Sequence, residues 1–262
     1  MTGAARWPIA RAISPSLLRA YRRCPFQVRL AQIDRVTPPF RYNAALSKGR
    51  IAHVILKRVA DTLARGGPPI DEAEMLRMAR LHLPRQAFPT PGAHEQQARQ
   101  IVRWAMTGRR YLERHPDARY LMVERPMTRR WRIVPGHPPY TIAARPDVVL
   151  LRADEDGGAL VEIVDYKTGR VPPEPPVLTR FVARDVLARH PGDRVRFTYL
   201  WLDADDETRI ELTTGHCYAH WDGIVGTLHD LASETAWAPR PSVLCRSCPF
   251  YRSVCTAGIP AG

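Results

Sequence analysis

Asp147, Asp165 and Lys167 are the residues of this chain whose types and spacing can do chemistry. Two carboxylates and one ammonium are the groups needed to hold a divalent cation and to stabilise the charge that builds up when a phosphodiester is hydrolysed. They lie in Arg145-Pro146-Asp147-Val148-Val149-Leu150-Leu151 and in Val161-Glu162-Ile163-Val164-Asp165-Tyr166-Lys167-Thr168-Gly169, β-rich apolar runs that have no packing reason to carry charge. Side chains alternate across a strand, so Asp165 and Lys167 share one face while Glu162 and Tyr166 point to the other. Between the two runs, Ala153-Asp154-Glu155-Asp156-Gly157-Gly158 is rich in turn formers, and a hairpin there brings Asp147 beside Asp165.

The elements that must position these groups can be read from punctuation and periodicity. Ser14 is an N-cap and Pro15 suits the first position of a helix on which Leu17, Tyr21 and Cys24 share a face. Thr37-Pro38-Pro39 leads into a helix over about 43–65, where Leu46, Ile51, Val54, Ile55, Val59 and Leu63 recur at helical spacing, and Gly66-Gly67-Pro68-Pro69 ends it. Arg50, His53 and Lys57 fall on one side of that helix. Two further helices, near 72–82 and 94–114, form a region inserted before the sheet. Strands are expected near 120–125, 128–133, 141–151 and 160–166, then a helix over 177–189 and a strand over 194–203. Ala204-Asp205-Asp206-Glu207 turns the chain into a last strand at 208–213.

Pro146-Asp147 with Asp165-x-Lys167 resembles the PD-(D/E)XK nuclease superfamily, and Asp165-Tyr166-Lys167-Thr168-Gly169 is similar to its RecB-type branch. That branch includes the nuclease domains of bacterial recombination helicases and the exonucleases of CRISPR adaptation. The resemblance implies an α/β fold with a restriction-endonuclease-like central mixed β-sheet flanked by helices, a helical insertion, and an iron-sulfur region joining the two ends of the chain. It also makes His53 a metal ligand, since this family carries such a His after a Gly on the helix before its sheet; neutral imidazole adds affinity without adding charge. Asp147, Asp165 and the backbone carbonyl of Tyr166 would complete the ligands for Mg2+ or Mn2+, and Lys167 would orient the attacking water or stabilise the phosphoryl charge. Glu124 ranks below His53, as an acidic residue of a kind that joins the site in some relatives.

Cys245-x2-Cys248-x6-Cys255 supplies three thiols, one short of a closed tetrahedral site, and Cys24 offers a fourth. Spacing leaves zinc and an iron-sulfur cluster both open, because each accepts four thiolates. The resemblance favours a 4Fe-4S cluster: iron-sulfur members of the branch place one Cys near the start and three at the end. Disulfides fit least, since no secretory signal is read, and Cys217 stands outside the pattern as a small buried residue. In one respect the chain departs from the branch. Where relatives place a Gln and a Tyr four residues apart on the helix after the motif, this sequence has Arg180 and Arg184, readable as bidentate phosphate clamps or as a solvated face. With Arg50 they are the candidate nucleic-acid contacts.

Thirty-nine Lys and Arg against 26 Asp and Glu give a formal charge of +13, which points to an anionic partner. With no apolar run of about 18 residues, no membrane span is expected, and the cytoplasm is the expected location. At 262 residues the chain can bury one sizeable core with a smaller region attached. The organisation expected is an N-terminal helix with one cluster cysteine (1–40), a helical region with the active-site His (41–118), a nuclease core (119–235) and a C-terminal cysteine segment (236–262). The resemblance implies a metal-dependent DNA nuclease, an exonuclease rather than an endonuclease, acting on single-stranded DNA or frayed ends in recombination, repair or phage and CRISPR defence, with a helicase or a CRISPR integrase as its protein partner. The alternative is a DNA-binding subunit of such a complex that cuts weakly or not at all, which the changed Arg180 and Arg184 leave open.

Overall fold

The computed structural model describes residues 9, 12–38, 44–132, 135, 138–169, 194–212 and 221–257. The helix expected after the Asp165-Tyr166-Lys167 motif, with Arg180 and Arg184, and also Cys217, lie outside these residues.

Capping residues set the helix starts. In α1 (Pro15–Arg23) the Ser14 hydroxyl accepts the N–H of Leu17 at 3.2 Å and Pro15 occupies the first turn, where its missing N–H costs nothing. Leu18 and Tyr21, rather than Leu17 and Tyr21, carry its buried face. A short α2 (Pro25–Val28) runs into one π-helical turn, Arg29–Ile33. The longer helix α3 (Ala44–Leu63) ends where Gly66 adopts a φ of 67°, a left-handed conformation glycine takes without steric cost. Asp71 caps α4 (Glu72–His82), and Thr90 caps α5 (Pro91–Glu113), which therefore starts at the Thr-Pro step rather than at His94.

Among the described residues seven strands follow: β1 (Arg119–Val123), β2 (Met127–Trp131), β3 (Tyr140–Ala144), β4 (Val148–Ala153), β5 (Ala159–Lys167), β6 (Arg194–Trp201) and β7 (Asp206–Leu212). Five of them form a mixed sheet in the order β1-β4-β5-β6-β7, antiparallel except for the parallel β5–β6 pair. The single strand expected over 141–151 is instead two strands in two different sheets, because Pro146 has no N–H to donate to a ladder and holds Arg145 out of register. A helix α6 (Trp221–Ser233) and a 3-10 turn (Val243–Ser247) close the described chain. Among the described residues, no helix is long and apolar enough to cross a membrane.

The chain folds into two compact units. One comprises Met1–Arg41, Pro126–Ala144 and Gly215–Gly262; the other comprises Tyr42–Arg125 and Arg145–Thr214. The β2–β3 hairpin and α6 group with the two chain ends, and α3, α4 and α5 share a unit with the five-stranded sheet. Two side-chain clasps explain the grouping of the ends: the Tyr21 hydroxyl donates to Glu234 at 2.8 Å and Arg22 donates to Thr227 at 2.6 Å. Ile13 adds a parallel bridge to Ile142 of the hairpin.

In the sheet-bearing unit, α3, α4 and α5 close one face of the sheet with Ile55, Leu56, Ile101, Leu112, Leu150 and Val164. Glu162 lies within this side, fully buried, and is matched by three donors: Tyr111 at 2.7 Å, Thr198 at 2.5 Å and Arg152 at 2.7 Å. Burial pushes its carboxyl up, but the hydrogen bonds from Arg152, Thr198 and Tyr111 outweigh it and hold the group below its ordinary range. A single buried charge thus ties α5 to three adjacent strands.

Candidate metal centre

Antiparallel β4 and β5 pair Val148 with Val164, so Asp147, just before β4, and Asp165, just after Val164, meet at neighbouring strand ends. The turn that joins the strands uses Gly157 at φ 77°, and Asp154 bonds back to Gly158 at 2.8 Å. Both aspartates are buried, at 7% and 8% exposure, where a carboxylate is unfavourable without partners. Asp147 has two: Oδ2 accepts the peptide N–H of Tyr166 at 2.7 Å, and Oδ1 faces Nδ1 of His53 at 3.0 Å. Asp165 forms an ion pair with Lys167, two residues along the same strand, as side-chain alternation requires. The Lys167 ammonium also lies 5.7 Å from the ring centroid of Tyr199 on β6, a cation–π approach that fixes its direction. Tyr166 points the other way, into the core under α3, with its ring 5.9 Å from that of His53.

A third carboxylate completes the group. Glu124 follows β1 with φ at 44°, left-handed and uncommon for a residue with a side chain, and it is held there by its N–H to the Asp147 carbonyl at 2.8 Å. This turns Oε1 toward His53 Nδ1 at 4.0 Å and Oε2 toward Arg145 at 3.7 Å. One ligand atom from each of His53, Glu124 and Asp147 lies within 4.8 Å of the others, and among the described residues this is the group so arranged. Asp165, expected in that set, is turned instead to Lys167 beside it. In the sequence Glu124 is a candidate only through the resemblance, as an acidic residue of the first strand of a kind that joins the site in some relatives, ranked below His53.

The electrostatics show surplus negative charge. Burial raises the Glu124 carboxyl and the Asp147 charge adds to it, against the pull of His53, Arg145 and Lys57. Burial likewise lifts Asp165, opposed by Lys167 and reinforced by Asp147. For His53, burial favours the neutral ring, yet the hydrogen bond to Asp147 and the charges of Asp147 and Asp165 outweigh it and raise its affinity for a proton. The Asp147 charge disfavours ionisation of Glu124 and Asp165, and carboxylates so placed around an imidazole form a donor set that fits a divalent cation, which would relieve both. Arg50, exposed on α3 three residues before His53, leaves its guanidinium to solvent.

In the other unit, Cys24, Cys245, Cys248 and Cys255 are free thiols lining one cavity, together with Phe26 and Phe250. Cys24 ends α1, where Pro25 starts the next helix and prevents α1 from continuing. The three C-terminal cysteines are presented by tight turns: Cys248 N–H bonds to Cys245 O at 2.9 Å and Cys255 N–H to Phe250 O at 3.0 Å. The sulfur of Cys245 accepts the N–H of Ser242 at 3.4 Å. Although all four share the cavity, their sulfurs do not form a group within 4.8 Å like that at His53.

The sequence model of the PD-(D/E)XK nuclease superfamily matches residues 12–256. No curated protein matches. Among solved structures, that of a candidate exonuclease from Eubacterium rectale is 12% identical and superposes with a TM-score of 0.51, covering 96% of this chain and 91% of the other. That of SSO0001 is 15% identical, with a TM-score of 0.34 and coverage of 92% and 94%.

Proposed function

Because this chain belongs to the PD-(D/E)XK nuclease superfamily, we propose that it is a Mg2+- or Mn2+-dependent deoxyribonuclease of the RecB type, cutting exonucleolytically at single-stranded DNA or DNA ends. The observation that carries the reading is the convergence of His53, Glu124 and Asp147 within 4.8 Å beside the Asp165–Lys167 pair. These three residues would hold the cation, with Asp165 and the Tyr166 carbonyl as further oxygen ligands, and the imidazole favours Mn2+ among hard ions. When bound, such a cation supplies charge neutralisation for phosphoryl oxygens and an acidified water.

The chain's own groups do the rest. Asp147 is kept in a single orientation by the Tyr166 peptide, so its ligand oxygen needs no reorganisation when a phosphate arrives. Lys167, aimed by Asp165 and the Tyr199 ring, presents an ammonium to the charge developing on the scissile phosphate or to the attacking water. Arg50, with Arg180 and Arg184, serves as a phosphate contact along the strand.

The four-thiol cavity is assigned to a 4Fe-4S cluster with a structural role. The arrangement of one cysteine near the start and three near the end around one cavity supports this reading, and zinc on the same four thiolates is the alternative occupant. Metal bound by α1's end and the last turns would convert binding energy into folding energy for the unit that carries both.

Anaerobically purified protein should be incubated with end-labelled single-stranded and duplex DNA, with and without Mn2+. Cleavage that needs Mn2+ and stops with chelator is expected. Binding of DNA without cleavage under every condition would instead favour a non-catalytic DNA-binding subunit.

A further inference from the structure

Gly49 is buried inside α3, one turn before His53. Glycine is unfavourable inside a helix relative to alanine, so its surroundings must account for it. A Cβ added at Gly49 would lie 3.0 Å from Oγ1 of Thr168, tighter than ordinary van der Waals contact, so the two segments must give by a few tenths of an ångström to admit it. Thr168 directly follows Lys167, so bare helix backbone touches the segment by which the catalytic strand leaves the sheet. Residues four apart share a helix face, and the face that meets Thr168 is therefore the one that presents His53 to Asp147. A second glycine seats the same helix from the side of α5: a Cβ at Gly108 would overlap the side chain of Leu56, three residues after His53.

We propose that Gly49 and Thr168 are positioning residues of the metal centre, their contact setting the distance from α3 to the end of β5 and hence the reach of His53. The inference rests on the nuclease reading above. A side chain at 49 drives α3 away from Thr168 and carries His53 with it, while Asp147 and Glu124 stay on the sheet. Because metal–ligand distances tolerate only about ±0.2 Å, a small displacement is enough to remove the imidazole from the ligand set.

Mn2+ affinity by calorimetry, and cleavage of single-stranded DNA, should be measured for the parent and a set of variants. Gly49→Ala is expected to weaken Mn2+ binding about tenfold or more, with cleavage falling in parallel. In a His53→Ala background the same change should add nothing, because the ligand it displaces is already gone. Thr168→Ala should restore Gly49→Ala to within about twofold of the parent, whereas Thr168→Val, which keeps the bulk, should not. Enlarging the partner instead, by Thr168→Ile with Gly49 intact, should give the same His53-dependent loss and keeps the test available if Gly49→Ala does not fold. Gly49→Ala with parental affinity, or a loss that persists beside Thr168→Ala or adds in full to His53→Ala, would overturn the spacing role and leave the metal centre standing. A parent whose Mn2+ affinity is indifferent to His53→Ala would overturn the metal reading, and this inference with it.

Discussion

The peptide N–H of Tyr166 donates to Oδ2 of Asp147 at 2.7 Å, so a carboxylate at one strand end is oriented by the backbone of its neighbour. No change at 166 other than to proline removes the donor of that bond. The site's first carboxylate is thus as rigid as the β4–β5 ladder itself, while its companions depend on side-chain partners: Asp165 on Lys167, and Glu124 on Arg145.

Asp165→Asn keeps the shape of the side chain and removes its charge. Cleavage should fall by at least about 100-fold with DNA affinity nearly unchanged, because phosphate contacts lie elsewhere. Lys167→Ala should be similarly impaired while still binding Mn2+. Equal single-turnover rates for Asp165→Asn and the parent would remove these residues from the active site.

Glu124→Gln should weaken Mn2+ binding by more than the approximately tenfold that loss of an outer-shell partner costs. Isothermal titration of parent and variant is the direct measurement. An unchanged dissociation constant would mean that Glu124 is held near His53 by Arg145 alone and ligates nothing.

Glu162 makes a stability prediction with a definite sign. Its carboxyl is depressed in the folded chain by Arg152, Thr198 and Tyr111 against the effect of burial. Its contribution is therefore fully present above the unfolded value of about 4.3 and is lost as pH falls through the lower folded value. Glu162→Gln leaves the Arg152 guanidinium without its counter-charge in a site where that side chain is 9% exposed, at a cost of about 3–5 kcal/mol. Urea midpoints between pH 6 and pH 3 should decline more steeply in the parent than in the variant; parallel declines would refute the assignment.

The fold is most legible in the sequence where local chemistry decides structure. Ser14-Pro15 capped α1, Gly66 ended α3, and the Gly157 turn brought Asp147 to Asp165. It is least legible where the decision is tertiary. The run from Thr141 to Leu151 is β-rich on both sides of Arg145-Pro146-Asp147, and only pairing partners distant in sequence assign its halves to different sheets. Glu124 owes its place to a left-handed φ imposed by a bond to the Asp147 carbonyl, which no neighbouring residue type announces.

Cys24→Ser should lose iron, sulfide and the brown visible absorption, and Cys217→Ser should lose none of them. The test is elemental analysis after anaerobic purification. A Cys24→Ser protein with full iron content would show that other ligands assemble the cluster, and stoichiometric zinc in an active parent would replace the cluster by a zinc site.

Neither compact unit is a continuous stretch of chain: the main chain passes from one to the other between Arg41 and Tyr42, Arg125 and Pro126, Ala144 and Arg145, and Thr214 and Gly215. The middle two passages fall within three residues of Glu124 and Asp147. Terminal deletion is therefore the wrong tool for dissecting this protein. Removing the first 41 residues does not excise a module; it strips the β2–β3 hairpin of its Ile13 bridge and α6 of Tyr21 and Arg22. A minimal fragment would have to replace residues 126–144 by a short linker as well as trim both ends, and its two new joints would sit beside Glu124 and Asp147.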